Sequence, residues 1–398
     1  MLKLVFYYNH YNTLGHSTRV FSLVKGLKEY FKEKIEIIVL QGGKRQQILP
    51  FNRYSRVYLI PYCIDKKGLF IEENTRIYRE IISSGKLDNM FKERMSFMRN
   101  ILDEFKPNIF ITEYFPFGQE FWTFEVPYLL RYLKNNFVCK IIGSCGYVSY
   151  IDNAYEYIKE FYDCLFIHSP PEFSKDYGLY LHKKGVENLD RIFNDFSNKI
   201  HFTGFVRNNF KTNELESIRI TYQNLKHNKL IFVSRGGGIV NKKIILVSIL
   251  LAKENSSLFF VICCGPATTS REFQEYKKIS QGIKNLKLVK TLTPSRFCSY
   301  LKSADLSINM AGYNTTVKML YYGKKTILIP YYTTEQRWRA DIVQKYLPSR
   351  IIEEQSLNIS LLSKNVSELL ESNGETVKID KNWFSGVSDT IKVLKCLL

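Results

Sequence analysis

The chain has 398 residues, 45% of them hydrophobic and 24% charged, with a formal net charge of +19; this balance is typical of a globular protein with two or three domains. Its longest apolar run, Ile244–Ala252, is too short to span a bilayer, and its N-terminus lacks the length and the cleavage site of a signal peptide. Its eight cysteines form no CxxC pair, which argues against a disulfide framework or a zinc site, so we expect a cytoplasmic protein.

The first half alternates strand-like and helix-like segments. A buried strand is predicted at Leu2–Tyr8, a second at Ile35–Leu40, and a helical region at about Asn74–Phe105. The first helix is indicated by apolar residues that share one helical face: Val20, Leu23, Val24, Leu27 and Phe31. Four further short strands are expected at Asn108–Thr112, Val138–Ile142, Cys164–His168 and Ile200–Thr203. This alternation predicts a parallel sheet wound with helices over residues 1–205.

The same pattern restarts after a polar segment at 206–228, which we interpret as a linker with one helix. The strands expected in the second half are Leu230–Ser234, Leu258–Cys263, Leu286–Val289, Asp305–Asn309 and Thr326–Pro330. Residues 229–398 therefore form a second domain, whose last helix could return to the first. The predicted fold class is α/β, with two Rossmann-like domains whose parallel sheets face a central cleft.

A first candidate site is the loop Gly15-His16-Ser17-Thr18-Arg19, between the first strand and the first helix. In an open α/β sheet, ligands bind outside the carboxyl ends of the strands. Gly15 would let the backbone approach a ligand, and the imidazole of His16 could take a proton from a hydroxyl at neutral pH. The alternative is that His16 caps the helix or packs locally.

A second candidate site is the segment Ser234-Arg235-Gly236-Gly237-Gly238, which follows a predicted strand and precedes a helix. Glycines in that position make a backbone cradle for phosphate. The Gly-Lys-Ser/Thr ending of a Walker loop is absent, and a tight turn is the alternative interpretation.

A third candidate site follows the strand Asp305–Asn309. There Ala311-Gly312-Tyr313-Asn314-Thr315-Thr316 again joins a glycine turn to hydroxyls that open a helix, which favours an anion site. The next strand ends in Tyr331-Tyr332-Thr333-Thr334-Glu335-Gln336, whose polar side chains could bind sugar hydroxyls. Each segment alone could be structural, but the three in this order indicate a binding site.

The positive charge is concentrated in the second half. Residues 1–205 hold 28 basic and 23 acidic side chains, a net of +5, whereas residues 206–398 hold 29 and 15, a net of +14. An anionic partner is therefore expected: nucleotide phosphates, an anionic membrane surface at the inner face of the membrane, or nucleic acid. Nucleic acid is disfavoured because the basic residues are dispersed, with no run of five or six. A generally basic surface is the remaining alternative.

These motifs resemble those of the GT-B glycosyltransferases. The stretch Gly312–Lys318, with Gly323, Pro330, Glu335-Gln336 and Ala340, is similar to the donor signature of that superfamily, and Gly15-His16 is similar to its N-terminal Gly-His. The segment Glu113–Gly118, with Phe124-Glu125, resembles uncharacterised bacterial predicted glycosyltransferases related to the peptidoglycan precursor N-acetylglucosaminyltransferase.

The resemblance implies a role for each matching residue. His16 would be the general base, and Glu113 would be the carboxylate that orients it. The residues expected in donor binding, from the resemblance or from their position in the fold, are Gly15, Ser234, Arg235, Gly236, Gly237, Gly238, Gly312, Asn314, Thr315, Thr316, Lys318, Glu335 and Gln336. Of these, Glu335 and Gln336 would hold the hydroxyls of the donor sugar.

Two positions depart from the family pattern. Lys318 stands where the family has a Glu that binds the ribose hydroxyls, and Met310 stands where the secondary-product enzymes have a phosphate-binding His. A lysine has only donors, so it cannot accept hydrogen bonds from ribose. Either Lys318 reaches the diphosphate from the first turn of its helix, or it points to solvent.

The expected reaction transfers a sugar from a nucleotide-sugar, a UDP-sugar in our interpretation, to an acceptor hydroxyl with inversion. The acceptor is a small molecule, a glycan or a lipid-linked sugar. No Asp-x-Asp occurs in the sequence, so we expect no essential metal, and no cofactor besides the nucleotide-sugar co-substrate. A nucleotide-sugar hydrolase or 2-epimerase on the same fold is the alternative, followed by a non-catalytic or nucleic-acid-binding protein.

Overall fold

The computed structural model describes most of the chain. The described ranges are 1–9, 15–43, 48–61, 86–118, 120–148, 153–182, 189–207, 229–238, 240–331, 334–372 and 377–398. Most of the predicted linker at 206–228, the start of the predicted helix at 74–105, and residues 332–333 of the third candidate site lie outside these ranges.

The chain divides into two compact units. The first contains the strand Leu2–Asn9, the segment His16–Val206 and the C-terminal residues Ser385–Leu398, and the second contains Arg207–Phe384. Each unit has its own parallel sheet, as the strand and helix alternation predicts.

The first unit is built on a seven-stranded parallel sheet. Its strands are β1 (Leu2–Asn9), β2 (Ile35–Gly42), β3 (Arg56–Leu59), β4 (Ile109–Glu113), β5 (Lys140–Cys145), β6 (Cys164–Ile167) and β7 (Ile200–Phe202). Their order across the sheet is β3-β2-β1-β4-β5-β6-β7. The central strands are buried on both faces, which explains why they read as continuous apolar runs.

Helices cover both faces of this sheet. They are α1 (Gly15–Phe31), α2 (Lys86–Phe105), α3 (Val126–Asn136), α4 (Ala154–Phe161), α5 (Pro171–His182) and α6 (Leu189–Asp195). The predicted apolar face of α1 is buried at Val20, Leu23, Val24 and Leu27. The C-terminal helix of the chain also belongs to this unit: the amide of Gly386 donates to the carbonyl of Phe205, at 3.1 Å.

The second unit is built on a six-stranded parallel sheet. Its strands are β8 (Lys229–Ser234), β9 (Leu258–Cys263), β10 (Leu286–Val289), β11 (Leu306–Asn309), β12 (Thr326–Leu328) and β13 (Ser349–Ile351), in the order β10-β9-β8-β11-β12-β13. Its helices are α7 (Lys242–Glu254), α8 (Ser270–Ile279), α9 (Pro294–Ser303), α10 (Tyr313–Tyr322), α11 (Thr334–Tyr346) and α12 (Ile359–Glu371). The C-terminal helix already mentioned is α13 (Gly386–Leu397).

The largest corrections to the predicted sheets concern three strands, and the bounds of the other strands differ by at most two residues. β5 begins at Lys140 rather than Val138 and continues to Cys145; the Val138 side chain is fully exposed. The edge strands β3 and β13 were not predicted, because they are short and only partly buried and so carry a weak apolar pattern. Among the described residues, no helix is long and apolar enough to cross a membrane.

Candidate active site

The first candidate site lies at the carboxyl edge of the first sheet. β1 and β4 are parallel neighbours, with Tyr7 level with Thr112, so the segments that follow them meet at one edge. The helix α1 begins there at Gly15, where an added Cβ would meet no atom within 4 Å. Glu113 is the last residue of β4. The topology therefore brings His16 and Glu113 together, as the resemblance implies.

Two basic side chains of α1 share one oxygen of Glu113. His16 Nδ1 lies 3.0 Å from Glu113 Oε1, and Arg19 Nη2 donates to the same oxygen. The side chain of Glu113 is fully buried and that of Arg19 is 5% exposed, whereas that of His16 is 24% exposed. The imidazole is thus hydrogen-bonded to Glu113 on its buried side, and another part of the ring is accessible to solvent.

The Glu113 carboxyl is ionised. Burial alone would raise its pKa, but the charge of Arg19 and the hydrogen bonds with His16 and Arg19 outweigh burial and lower the pKa to about 2. Its second oxygen, Oε2, accepts a hydrogen bond of 3.1 Å from the Ser144 hydroxyl. A carboxylate has no proton to give, so it accepts from every one of these groups.

A second histidine, His168, lies behind Glu113 in a buried hydrogen-bonded chain. Its Nε2 is 2.9 Å from Ser144 Oγ, and its Nδ1 is 2.7 Å from Thr203 Oγ1. Burial, and then the charge of Arg19, lower the pKa of His168 to about 3, so the ring is neutral. Because the Ser144 proton points to Glu113, Nε2 of His168 carries the ring proton and Nδ1 accepts from Thr203. His168 is therefore not available as a base.

The buried His168 makes stability depend on pH. The unfolded ring binds a proton below about 6.5, whereas the folded ring binds one only below about 3, so stability is lost as pH falls through this window. We expect the free energy of unfolding to fall by about 2 kcal/mol between pH 6.5 and 5 because of this residue. Glutamine in His168→Gln keeps one donor and one acceptor but does not titrate. The free energy of unfolding in urea should therefore fall by about 2 kcal/mol less in this variant than in the unmodified protein over the same pH range. An equal fall in both proteins would contradict the prediction.

The sequence motifs did not assign three members of this site. Arg19 is three residues after His16 and therefore shares its helical face, a signal that the predicted helix already carried. Ser144 and His168 follow from the rule that ligand sites form at the carboxyl ends of parallel strands, since they lie at the ends of β5 and β6.

The glycine loop of the second unit follows β8 directly. Gly236 and Gly238 have φ of +64° and +89°, in the left-handed region that favours glycine. An added Cβ on Gly238 would lie 2.8 Å from the carbonyl oxygen of Cys264, whereas one on Gly236 would meet no atom within 4 Å. Gly238 is therefore required by packing, and Gly236 borders open space.

The Arg235 side chain points into the protein. Its Nε donates to Cys264 O at 2.8 Å, Nη1 to Tyr276 Oη at 3.2 Å and Glu272 Oε1 at 2.8 Å, and Nη2 to Gly238 O at 2.7 Å and Thr268 Oγ1 at 2.9 Å. These five partners match the five N–H donors of a guanidinium. All five N–H groups of the guanidinium are therefore used within the protein, and the side chain of Arg235 holds the glycine loop in place.

A second turn, after β9, supports the glycine loop and was not predicted. Gly265 has φ of +98°, and a Cβ there would lie 2.6 Å from both Gly236 O and Gly238 N. The amide of Ala267 donates to Gly237 O at 2.9 Å. The C=O of Gly237 and the N–H of Gly238 belong to one trans peptide group, in which they point in opposite directions. Because the C=O points to Ala267, the N–H of Gly238 faces away from it.

The third candidate segment begins α10. Ala311 has φ of +55°, and Gly312 is the N-terminal cap residue of the helix, with open space where a Cβ would lie. Asn314 and Thr315 occupy the first turn and are half-buried. The Thr316 hydroxyl is buried and has no hydrogen-bond partner within the described part of the chain. This helix start can bind an anion.

The predicted sugar-binding pair lies at the start of α11. Glu335 Oε2 is 3.2 Å from Arg339 Nη1, and Arg339 Nε donates to Ala311 O at 2.7 Å. Gln336 Oε1 accepts from the amide of Tyr331 at 2.9 Å. Arg339, which the sequence analysis did not single out, therefore links the starts of α10 and α11.

Lys318 lies in the second turn of α10, not the first, because the helix begins at Tyr313. Its side chain is largely buried, and Nζ is 5.5 Å from the ring centroid of Phe297 in α9. The helix begins earlier than expected because Gly312 rather than a hydroxyl residue occupies the cap position.

Residues 230–393 match the family model of the glycosyltransferase family 28 C-terminal domain. A search of curated protein sequences gives no match. Among solved structures, the chain is similar to the glycotransferase of kitacinnamycin, with a TM-score of 0.62, 11% identity, and coverage of 99% of this chain and 98% of that one.

Two further solved structures cover both chains almost completely. The MurG of Acinetobacter baumannii has a TM-score of 0.55 and 11% identity, with coverage of 100% and 99%. The UDP-GlcNAc 2-epimerase from Neisseria meningitidis, solved bound to UDP-GlcNAc, has a TM-score of 0.55 and 15% identity, with coverage of 100% of both chains. At these identities the likeness shows the fold, which is GT-B.

Proposed function

We propose that this chain, a protein of the GT-B fold with a glycosyltransferase family 28 C-terminal domain, transfers a sugar from a UDP-sugar to an acceptor hydroxyl with inversion and without a metal ion. The observation that carries the proposal is the pairing of His16 Nδ1 with the buried carboxylate of Glu113 at 3.0 Å. Since Nδ1 donates to Glu113, Nε2 carries the lone pair that a general base needs.

In the proposed reaction, His16 Nε2 takes the proton of the acceptor hydroxyl while the acceptor oxygen attacks the anomeric carbon of the donor. The bond from that carbon to the diphosphate oxygen breaks, and the nucleoside diphosphate leaves with the electron pair. One displacement inverts the configuration at the anomeric carbon. Glu113 keeps the imidazole oriented and stabilises the imidazolium that forms.

The diphosphate would be bound by backbone and helix starts of the second unit. The glycine loop at Ser234–Gly238 and the first turn of α10, from Gly312 to Thr316, present N–H groups that favour an anion. The Thr316 hydroxyl, which has no hydrogen-bond partner among the described residues, could donate to a phosphate oxygen. We assign Glu335 and Gln336 to the sugar hydroxyls on the resemblance. Lys318 departs from the family pattern, and we assign it to the same anion because its positive charge lies on α10.

Gly236→Asn tests the loop. Asparagine tolerates the left-handed backbone, so its side chain should enter the open space beside Gly236 without distorting the fold. If that space holds the donor phosphates, affinity for uridine diphosphate should fall roughly 10–100-fold in calorimetry, the loss of one or two charge-assisted hydrogen bonds.

Gly282→Asn is the matched control for that variant. Gly282 has φ of +81°, and a Cβ there would also meet no atom within 4 Å, but it lies in the turn that follows α8. The affinity of Gly282→Asn for uridine diphosphate should equal that of the unmodified protein. Equal affinity in both variants would make the loop an ordinary turn.

A 2-epimerase is the second candidate, because solved structures of this class share the fold over the whole chain. The two reactions differ in their need for an acceptor. A thermal-shift screen over nucleoside diphosphates and their sugars would identify the donor, since a bound ligand stabilises the folded protein by mass action. Conversion of that donor in the absence of any acceptor would favour the epimerase or a hydrolase; no conversion until an acceptor is added supports the transferase.

A further inference from the structure

Arg19 has no assigned role in the resemblance, yet it contacts the same carboxylate oxygen as His16. Both side chains project from one face of α1, and Arg19 Nη2 and His16 Nδ1 both donate to Glu113 Oε1. The guanidinium and the carboxylate are buried, where charges are screened less than at the surface. The charge of Arg19 therefore acts electrostatically on the imidazole of His16.

Among the residues that the structure describes, two charged groups lie in the cluster around His16. Arg19 comes from α1 and Glu113 from β4. The other titratable neighbours of this cluster are Tyr114, whose ring lies 5.1 Å from that of His16, and Tyr8, Cys145 and His168 around Glu113. Burial raises the pKa of Tyr8 and of Cys145 and lowers that of His168, so these three are neutral.

A buried carboxylate alone beside His16 would attract a proton to the imidazole. The resulting imidazolium–carboxylate pair could not accept a proton from a substrate. A neighbouring positive charge opposes this protonation, because like charges disfavour the charged form.

We propose that Arg19 is a positioning residue that balances the charge of Glu113, so that His16 rests uncharged and remains able to accept a proton. The link to catalysis rests on the proposed function, whereas the charge balance is a property of the folded unit. Arg19 touches neither the acceptor nor the donor in this proposal; it acts through Glu113 and His16.

The experiment is an NMR titration of the histidine rings in the full-length protein, with His16 assigned by its absence in His16→Ala. In Arg19→Met the titration midpoint of His16 should rise by about 1–3 pH units. In Arg19→Lys, which keeps the charge, it should stay close to that of the unmodified protein. An unchanged midpoint in folded Arg19→Met would overturn the proposal.

Arg19→Met leaves a buried carboxylate without its guanidinium, which can prevent folding. The same substitution is therefore also made in Glu113→Gln, where no carboxylate is left unpaired. Glu113→Gln leaves Arg19 as the only charge and should lower the midpoint. The double variant Arg19→Met with Glu113→Gln has neither charge and should return it toward the original value. The same midpoint in the Glu113→Gln single variant and in the double variant would also overturn the proposal.

The activity arm separates this proposal from the proposed function. If His16 is the base, the acidic limb of kcat/KM should move to higher pH in Arg19→Met, in step with the NMR midpoint, and return in Arg19→Lys. A shifted NMR midpoint with no turnover of any nucleotide-sugar would support the charge balance and count against the transferase. A shifted NMR midpoint with an unmoved acidic limb would overturn the role of Arg19 in the reaction.

Discussion

Replacement of His16 by alanine should lower kcat by about 10²–10⁴-fold, the usual contribution of a general base, while the affinity for the donor stays nearly the same. The fold should survive, since His16 is partly exposed and Glu113 keeps its ion pair with Arg19. The measurement is steady-state kinetics with the donor identified by the thermal-shift screen, together with calorimetry of nucleotide binding.

His201→Ala is the matched control for this variant. His201 is a partly exposed histidine of the same unit, in β7. The kcat of His201→Ala should equal that of the unmodified protein. His16→Gln adds a second comparison, because glutamine can hydrogen-bond to Glu113 but cannot take up a proton. A loss of donor affinity with unchanged kcat in His16→Ala would make His16 a donor ligand instead of the base.

Replacement of Arg94 by methionine should lower the free energy of unfolding by about 3–5 kcal/mol, the cost of leaving a buried charge without its partner. The side chains of Arg94 and Glu125 are 1% and 0% exposed. Arg94 donates to both oxygens of Glu125, and Tyr7 Oη donates to Oε1 at 2.5 Å. The change is measured as the free energy of unfolding of the first unit in urea.

Arg131→Met is the control for the buried pair. Arg131 and Glu160 form an ion pair in the same unit, but their side chains are 51% and 48% exposed, so the expected loss is below about 1 kcal/mol. The double variant Arg94→Met with Glu125→Met removes both charges and should be less destabilised than Arg94→Met alone. A loss in Arg94→Met as small as that in Arg131→Met would contradict the prediction.

The predicted strands were accurate where the sequence contains a run of apolar residues. β9 and β10 have the predicted bounds, although β10 is a partly buried edge strand, and β1 and β8 differ by one residue. The edge strand β13 was missed because its three residues are buried, exposed and partly buried, so they give no apolar run. Strand prediction in this chain therefore follows runs of apolar residues. Central strands such as β8 and β9 contain such a run because both of their faces are buried, whereas among the edge strands β10 contains one and β13 does not.

Arg235 shows where motif reasoning fails. An arginine inside a glycine-rich loop suggests a phosphate contact, and the local sequence contains nothing against it. The guanidinium is nevertheless occupied by Glu272, Tyr276 and three other acceptors, of which only Gly238 belongs to the same loop. A charged side chain binds the acceptors that the fold brings within its reach, and their positions depend on how β9 and α8 pack beside β8.

The sequence by itself determined the alternation of strands and helices, the glycine loop that follows β8 and, through the resemblance, the candidate residues His16 and Glu113. These features are local, because apolar periodicity and the missing Cβ of glycine act within a few residues. Only the tertiary structure decided that Arg19 and His16 share one oxygen of Glu113 and that His168 is buried behind Ser144. Those contacts join segments up to about a hundred residues apart, and the energy of a buried charge depends on distances that exist only once β1, β4, β5 and β6 lie side by side.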